Sequence, residues 1–139
     1  MASVSRRERD LFDRLLDAEV DALPEALREL LERVPLIVDD EPTPRLLESL
    51  GMSAADDADL CGLHEGVPLT ERSVEDVPDV PEQMMLFRGP ILRLADYPER
   101  GPTAADEAEL RRQVHITLLH EMGHHFGLDE DDLEALGYA

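Results

Sequence analysis

Apolar positions change their spacing several times along the chain. From residue 8 to 22, Leu11, Phe12, Leu15, Leu16 and Val20 recur at one- to four-residue steps between charged positions, with Leu23 following. That spacing predicts an amphipathic helix. Pro24 suits the first position of a second helix, whose Leu27, Leu30, Leu31 and Val34 prolong the apolar stripe. The pattern then shortens. Residues 35–40, 60–64 and 84–88 are brief apolar runs bounded by turn formers, and each is a strand candidate. Between them, 43–50 fits a short helix ended by Gly51, and 53–59 reads as a small acidic loop. The stretch 66–82 has no period and holds Pro68, Pro78 and Pro81, so it is assigned to loop. Gly89-Pro90 stops the third strand, and 96–103 forms a hinge.

The last long segment is the clearest element. Thr103 is placed to cap a helix, with Asp106 and Glu107 in the first turn, where negative charge suits the macrodipole. Leu110, Val114 and Leu118 follow at four-residue steps. Ile116, Leu119, Met122 and Phe126 make its second half apolar around most of the circumference, the pattern of a central, buried helix. Gly127 closes it in the position that favours a left-handed residue.

A length of 139 residues suits a single domain over 1–139, with 1–7 expected as a flexible N-terminus. The formal charge of −20 narrows the partners. A field of that sign repels phosphate backbones and anionic lipid, which disfavours nucleic-acid and membrane-surface roles, while it attracts cationic peptides and metal ions. No apolar run reaches the length of a membrane span, and the charged start carries no secretory segment. Cys61 is the lone cysteine, so no internal disulfide forms, in keeping with a cytoplasmic location. It reads as a small core residue.

Chemistry concentrates in one place. His115, His120, His124 and His125 fall within eleven residues, around the run HEMGHHFGLDED. His120 and His124 are four apart, so on a helix they lie one turn above the other on one face and can offer two imidazoles to one zinc ion. Glu121 is rotated toward the same side. It reaches a water activated by the metal rather than the metal itself, and so is the candidate general base. Gly123 lets another element pack closely. The five letters HExxH would arise by shuffling in roughly two chains per hundred of this composition, so the helix around them carries part of the specificity.

The third ligand is an acid. In the spacing HExxHxxGxx(H/D) the last position is Glu130, with Asp129 the alternative and Asp131 and Asp132 alongside. A competing use is structural: Asp129 can cap a short final helix carrying Leu133 and Leu136, with Asp132 in its first turn. His125 points about a hundred degrees away from the ligand face and suits the core or a supporting contact to Glu121. His115 lies off the ligand side, and His64 is a solvated or packed strand residue. Tyr138 can turn back to offer its phenol to an oxyanion or to floor the site, against the plainer reading of a terminal aromatic on the core.

With these residues in view, the chain resembles the minimal zincin-like metallopeptidases, small bacterial proteins with the signature HExxHxxGxxD. The resemblance runs from about residue 8 onward. It rests on LIVDDEP at 36–42, GLHEGVPLTERS at 62–73, PEQMMLFRGPIL at 81–92 and HEMGHHFGLDEDDLEALGY at 120–138. It implies an α+β fold, with a small mixed sheet of about three to four strands packed on a central active-site helix. It implies Zn2+ held by His120, His124 and the acid at 130, with Glu121 catalytic. Two departures stand out. Position 130 is Glu where the family has Asp, and the Met-turn and second lobe of larger zincins have no counterpart, leaving the cleft open.

The expected function is therefore zinc-dependent peptide hydrolysis on a peptide or protein substrate, with charge favouring basic ones. By analogy with zincins, 83–88 is the edge strand to which an extended peptide would add. The alternative is a metal-binding interaction or regulatory module that keeps the zincin core without proteolysis. A third reading, an acidic solubility or inhibitor domain with incidental histidines, predicts no tightly bound zinc. An open sheet edge allows a monomer or a homodimer.

Overall fold

Ser5 and Glu8 set where the chain first becomes helical. The Glu8 amide donates to Ser5 Oγ at 3.1 Å, and the Ser5 amide donates to Glu8 Oε1 at 2.9 Å. This reciprocal capping box satisfies two of the amides a helix start leaves open. Helix α1 consequently spans Arg6–Ala22 and begins before its apolar stripe does. Arg6 and Arg7, expected in a loose terminus, belong to it. The computed structural model describes residues 4–49, 62–65 and 83–135. Cys61, Leu136, Tyr138, Gly51 and the predicted loops at 53–59 and 66–82 lie outside the described residues.

Leu23 turns the chain, and α2 follows over Glu25–Glu32, with Pro24 one residue earlier than expected, as its cap. Strand β1 (Leu36–Asp39), helix α3 (Pro44–Ser49), strand β2 (Gly62–Glu65) and strand β3 (Gln83–Phe87) come next. The sheet order is β1-β3-β2, with β1 parallel and β2 antiparallel to β3. This is the mixed three-stranded sheet of an α+β fold. It also overturns one expectation. Segment 83–88 is no edge strand: β3 bonds to neighbours on both sides, and among the described residues the edges are β1 and β2.

The chain does not stop at Gly89-Pro90 but continues directly into α4 (Arg88–Leu94), whose first turn contains both residues. Proline lacks an amide donor, which a first turn does not need, so Pro90 is tolerated there. Helix α5 then runs from Ala104 to Phe126 behind a second capping box, Thr103 with Asp106. The core gathers Phe12, Leu15 and Leu16 of α1, Met84 and Leu86 of β3, Ile91 of α4, and Leu110, Val114, Leu118 and Met122 of α5. Alternation along β3 sends Met84 and Leu86 into this cluster. Helix α5 is thus central, but it is not covered all round. Ile116 is 44% exposed, and His120 and His124 are exposed as well.

Charged side chains fasten the ends of β1 and β3 to α1 and α4. Arg88 places two nitrogens on the Asp13 carboxylate at 2.9 and 3.0 Å and a third on Asp40 at 3.0 Å. Arg9 meets the other Asp40 oxygen at 2.6 Å, and Arg93 grips Glu41 at 2.7 and 3.0 Å. The Arg9 and Arg88 guanidiniums hold the Asp40 carboxyl below its ordinary value against the opposing effect of burial. Asp40 and Glu41 of the DDEP run are therefore structural anchors.

Candidate metal centre

The last turn of α5 shapes the site. Gly127 adopts the left-handed conformation at φ 67°, and the Leu128 amide donates to the Gly123 carbonyl at 2.8 Å. This Schellman turn folds the chain back over the helix end. A methyl group at Gly123 would stand 2.9 Å from the Leu128 carbonyl oxygen, so the return path requires glycine there. The reversed chain enters a short helix, α6 (Glu130–Ala135). Asp129 and Asp132 cap it reciprocally: each backbone amide donates to the other's carboxylate, at 2.9 and 2.8 Å.

Between α5 and α6 lies an open cleft of about 820 Å³. His120 and His124 face it from α5, and Asp129 and Glu130 from the return chain. The two imidazole rings stand 4.2 Å apart between centroids, inclined by 48°. Ile116, Leu119, Leu128 and Leu133 give the cleft an apolar wall. His115, expected off the ligand side as a structural residue, also lines it. Its Nδ1 is 2.8 Å from Glu19 Oε2 on α1. His125 is fully buried with its ring edge-on to Phe126 at 4.8 Å, on the inner side as its helical angle implied. His64 sits in β2 opposite Met84.

Glu121 is the inward-turned member. Only 6% of its surface is exposed, and burial pushes its carboxyl up to about 7. Removing a carboxylate from water disfavours the charged form, which is the cause of the shift. A carboxyl in that range takes up and releases a proton near neutral pH, the property a general base needs.

The donor set fits a zinc ion in part. Two imidazoles one turn apart beside a buried carboxyl are zinc chemistry. Yet among the described residues no three His, Cys, Asp or Glu side chains come close enough together to hold a metal. Asp129, the alternative third ligand, is engaged in its capping box, as is Asp132. Glu130 is exposed on the cleft and takes no part in that box. Tyr138 lies outside the described residues. Two features escaped the sequence reading. One is Glu19, buried on α1 at a position whose helical neighbours are apolar. The other is Gly62, whose backbone lies against Glu121; its only signal was its place in the GLHE run.

An α+β chain whose central helix presents two histidines on an open cleft, with a buried glutamate next to them in sequence, has the outline of a zincin. A model of the zincin-like metallopeptidase family matches residues 31–138, and the chain belongs to that family. The match starts near the end of α2, so α1 precedes it. No curated protein matches the chain. No helix among the described residues is long and apolar enough to cross a membrane.

Proposed function

We propose that the protein is a zinc-dependent peptidase, with His120, His124 and Glu130 as metal ligands and Glu121 as general base. One observation carries this reading: the exposed His120–His124 pair borders the cleft while Glu121, beside it in sequence, is buried with its carboxyl raised to about 7. Zinc, when bound, supplies a Lewis acid for the peptide carbonyl and lowers the pKa of a nucleophilic water. The residues of the chain do the rest. His120 and His124 orient the ion, and Glu130 is favoured over Asp129 because the cap leaves it to the cleft. Glu121 takes the proton of the attacking water and returns it to the leaving amine.

Substrate would add as a strand to the edge of β2 that does not pair with β3, on a strand that also packs against α5. The net charge of −20 favours a basic peptide overall, and the apolar wall of the cleft favours an apolar side chain beside the scissile bond. The decisive experiment loads the protein with zinc and offers a broad peptide library. Cleavage that disappears in Glu121→Gln at unchanged zinc content supports the reading. A library left intact, with wild type and Glu121→Gln indistinguishable, sinks it.

A second reading is a metal-binding interaction module without proteolysis. The small size of the chain and its acidic character, with a net charge of −20 over 139 residues, favour it. It predicts a stoichiometric protein partner whose binding survives Glu121→Gln, which a pull-down with quantified stoichiometry reads directly.

A further inference from the structure

A carbon built at Gly62, where any other residue carries its Cβ, would stand 2.7 Å from Glu121 Cγ, 3.1 Å from Cδ and 3.2 Å from Oε1. Carbon atoms in favourable contact stand roughly 3.5–4.0 Å apart. One of the two elements would have to move.

We propose that Gly62 is a positioning residue: the bare backbone of the edge strand fixes where the Glu121 carboxyl group sits. This rests on the peptidase reading for the use made of that carboxyl, and on geometry alone for the contact. The backbone does not explain the glycine, because Gly62 is not among the positive-φ residues. Nor does strand formation, since glycine inside a strand weakens it. What remains is space. On one side β2 is held by its antiparallel pairing, Gly62 opposite the fully buried Leu86. On the other, Glu121 is 6% exposed on a helix whose neighbouring Met122 and Leu118 are locked in the core. Neither can retreat cheaply, so the position of one determines the position of the other. A methyl group at 62 would displace the carboxyl or lift β2, the strand along which substrate is proposed to lie.

A double-mutant cycle on the metal-free protein isolates the contact. Gly62→Ala is expected to lower the melting temperature by on the order of 5 °C when Glu121 is present. In the Glu121→Ala background, which removes Cγ, Cδ and both oxygens, the same change is expected to cost little or nothing. Folding of Gly62→Ala/Glu121→Ala where Gly62→Ala alone fails to fold is the same result in stronger form. Equal losses in both backgrounds, or failure of both to fold, would overturn the proposal. In the zinc-loaded protein, Gly62→Ala is expected to reduce kcat by about a hundredfold, with KM and zinc content unchanged, as a misplaced base would. A rise in KM alone, or loss of zinc, would also overturn it. Coupled melting temperatures beside an inactive wild type would count against the peptidase reading and for the Gly62–Glu121 contact.

Discussion

Glu19 and Glu121 each have 6% of their surface exposed; Glu19 reaches α5 from α1, and Glu121 belongs to α5 itself. Their carboxyls nevertheless move in opposite directions. Burial pushes Glu19 up, but hydrogen bonds from Arg111 at 2.7 Å and His115 at 2.8 Å more than offset it, and the net shift is downward. At Glu121 burial raises the carboxyl to about 7. The seam between α1 and α5 therefore holds a permanent charge, paired and neutralised, that ties two helices together. The seam between β2 and α5 holds a group whose charge is poised to change. Side chains with equally little exposed surface give a structural residue in one place and a candidate for chemistry in the other; at Glu19 the hydrogen bonds from Arg111 and His115 overcome the effect of burial.

The largest expected effect breaks this comparison at both ends. Glu121→Gln keeps the size of the side chain and removes the base. Turnover of a peptide by the zinc-loaded protein should fall by about a thousandfold, while zinc content and melting temperature hold or improve. Glu19→Gln should do the reverse. It is expected to cost about 1–2 kcal/mol of stability, read from the denaturation midpoint, because one of two charge-assisted bonds is lost. Its kcat should match wild type. If Glu19→Gln abolished turnover at unchanged stability, the assignment of Glu19 to structure would be wrong.

The acids after Gly127 divide in the same manner, with a smaller effect. Asp129 is spent on the cap of α6 and Glu130 faces the cleft. Glu130→Ala is expected to weaken zinc binding by roughly ten- to a hundredfold, measured by competition with a chelating dye, since a carboxylate donor is removed. Asp129→Ala should leave zinc affinity within about twofold and cost roughly 1 kcal/mol or less through the lost cap. The opposite pattern would move the third ligand to 129.

How much of this was legible beforehand follows from the range over which each signal acts. Helix α5 was readable because its caps, Thr103 with Asp106 and Gly127, are local in sequence, and the four-residue step of Leu110, Val114 and Leu118 reports one buried face; α1 was readable from its apolar spacing, while its Ser5–Glu8 cap was missed. The His120–His124 pairing follows from helical period alone. Helix α4 was missed because Gly89-Pro90 reads as a stop, although a first turn accommodates both residues. The position of β3 in the middle of the sheet was out of reach: its neighbours are 48 and 22 residues away in register (Ile37 and Leu63 opposite Met85), and no local pattern encodes which strand lies between two others. His115 was read as structural from its helical angle, but its partner Glu19, 96 residues earlier, was not foreseeable from any local pattern. The Gly62–Glu121 contact is likewise a meeting of distant segments.

The smallest effect is a difference in pH dependence, and its sign follows from the direction of the Glu19 shift. The folded-state carboxyl lies below its ordinary value of 4.5. The unfolded chain therefore takes up the proton first as pH falls. The stability contributed by the charged Glu19 is fully present above about pH 4.5 and drains away as pH falls through the lower, folded value. The stability gap between wild type and Glu19→Gln should accordingly be constant from pH 8 to pH 5 and shrink below pH 4.5. Arg111 keeps its charge throughout, so it cannot produce the change. Urea unfolding of the pair at half-unit pH steps reads the gap. A gap that widened below pH 4.5 would mean that Glu19 is held by burial, as Glu121 is, and the contrast between the two glutamates would collapse.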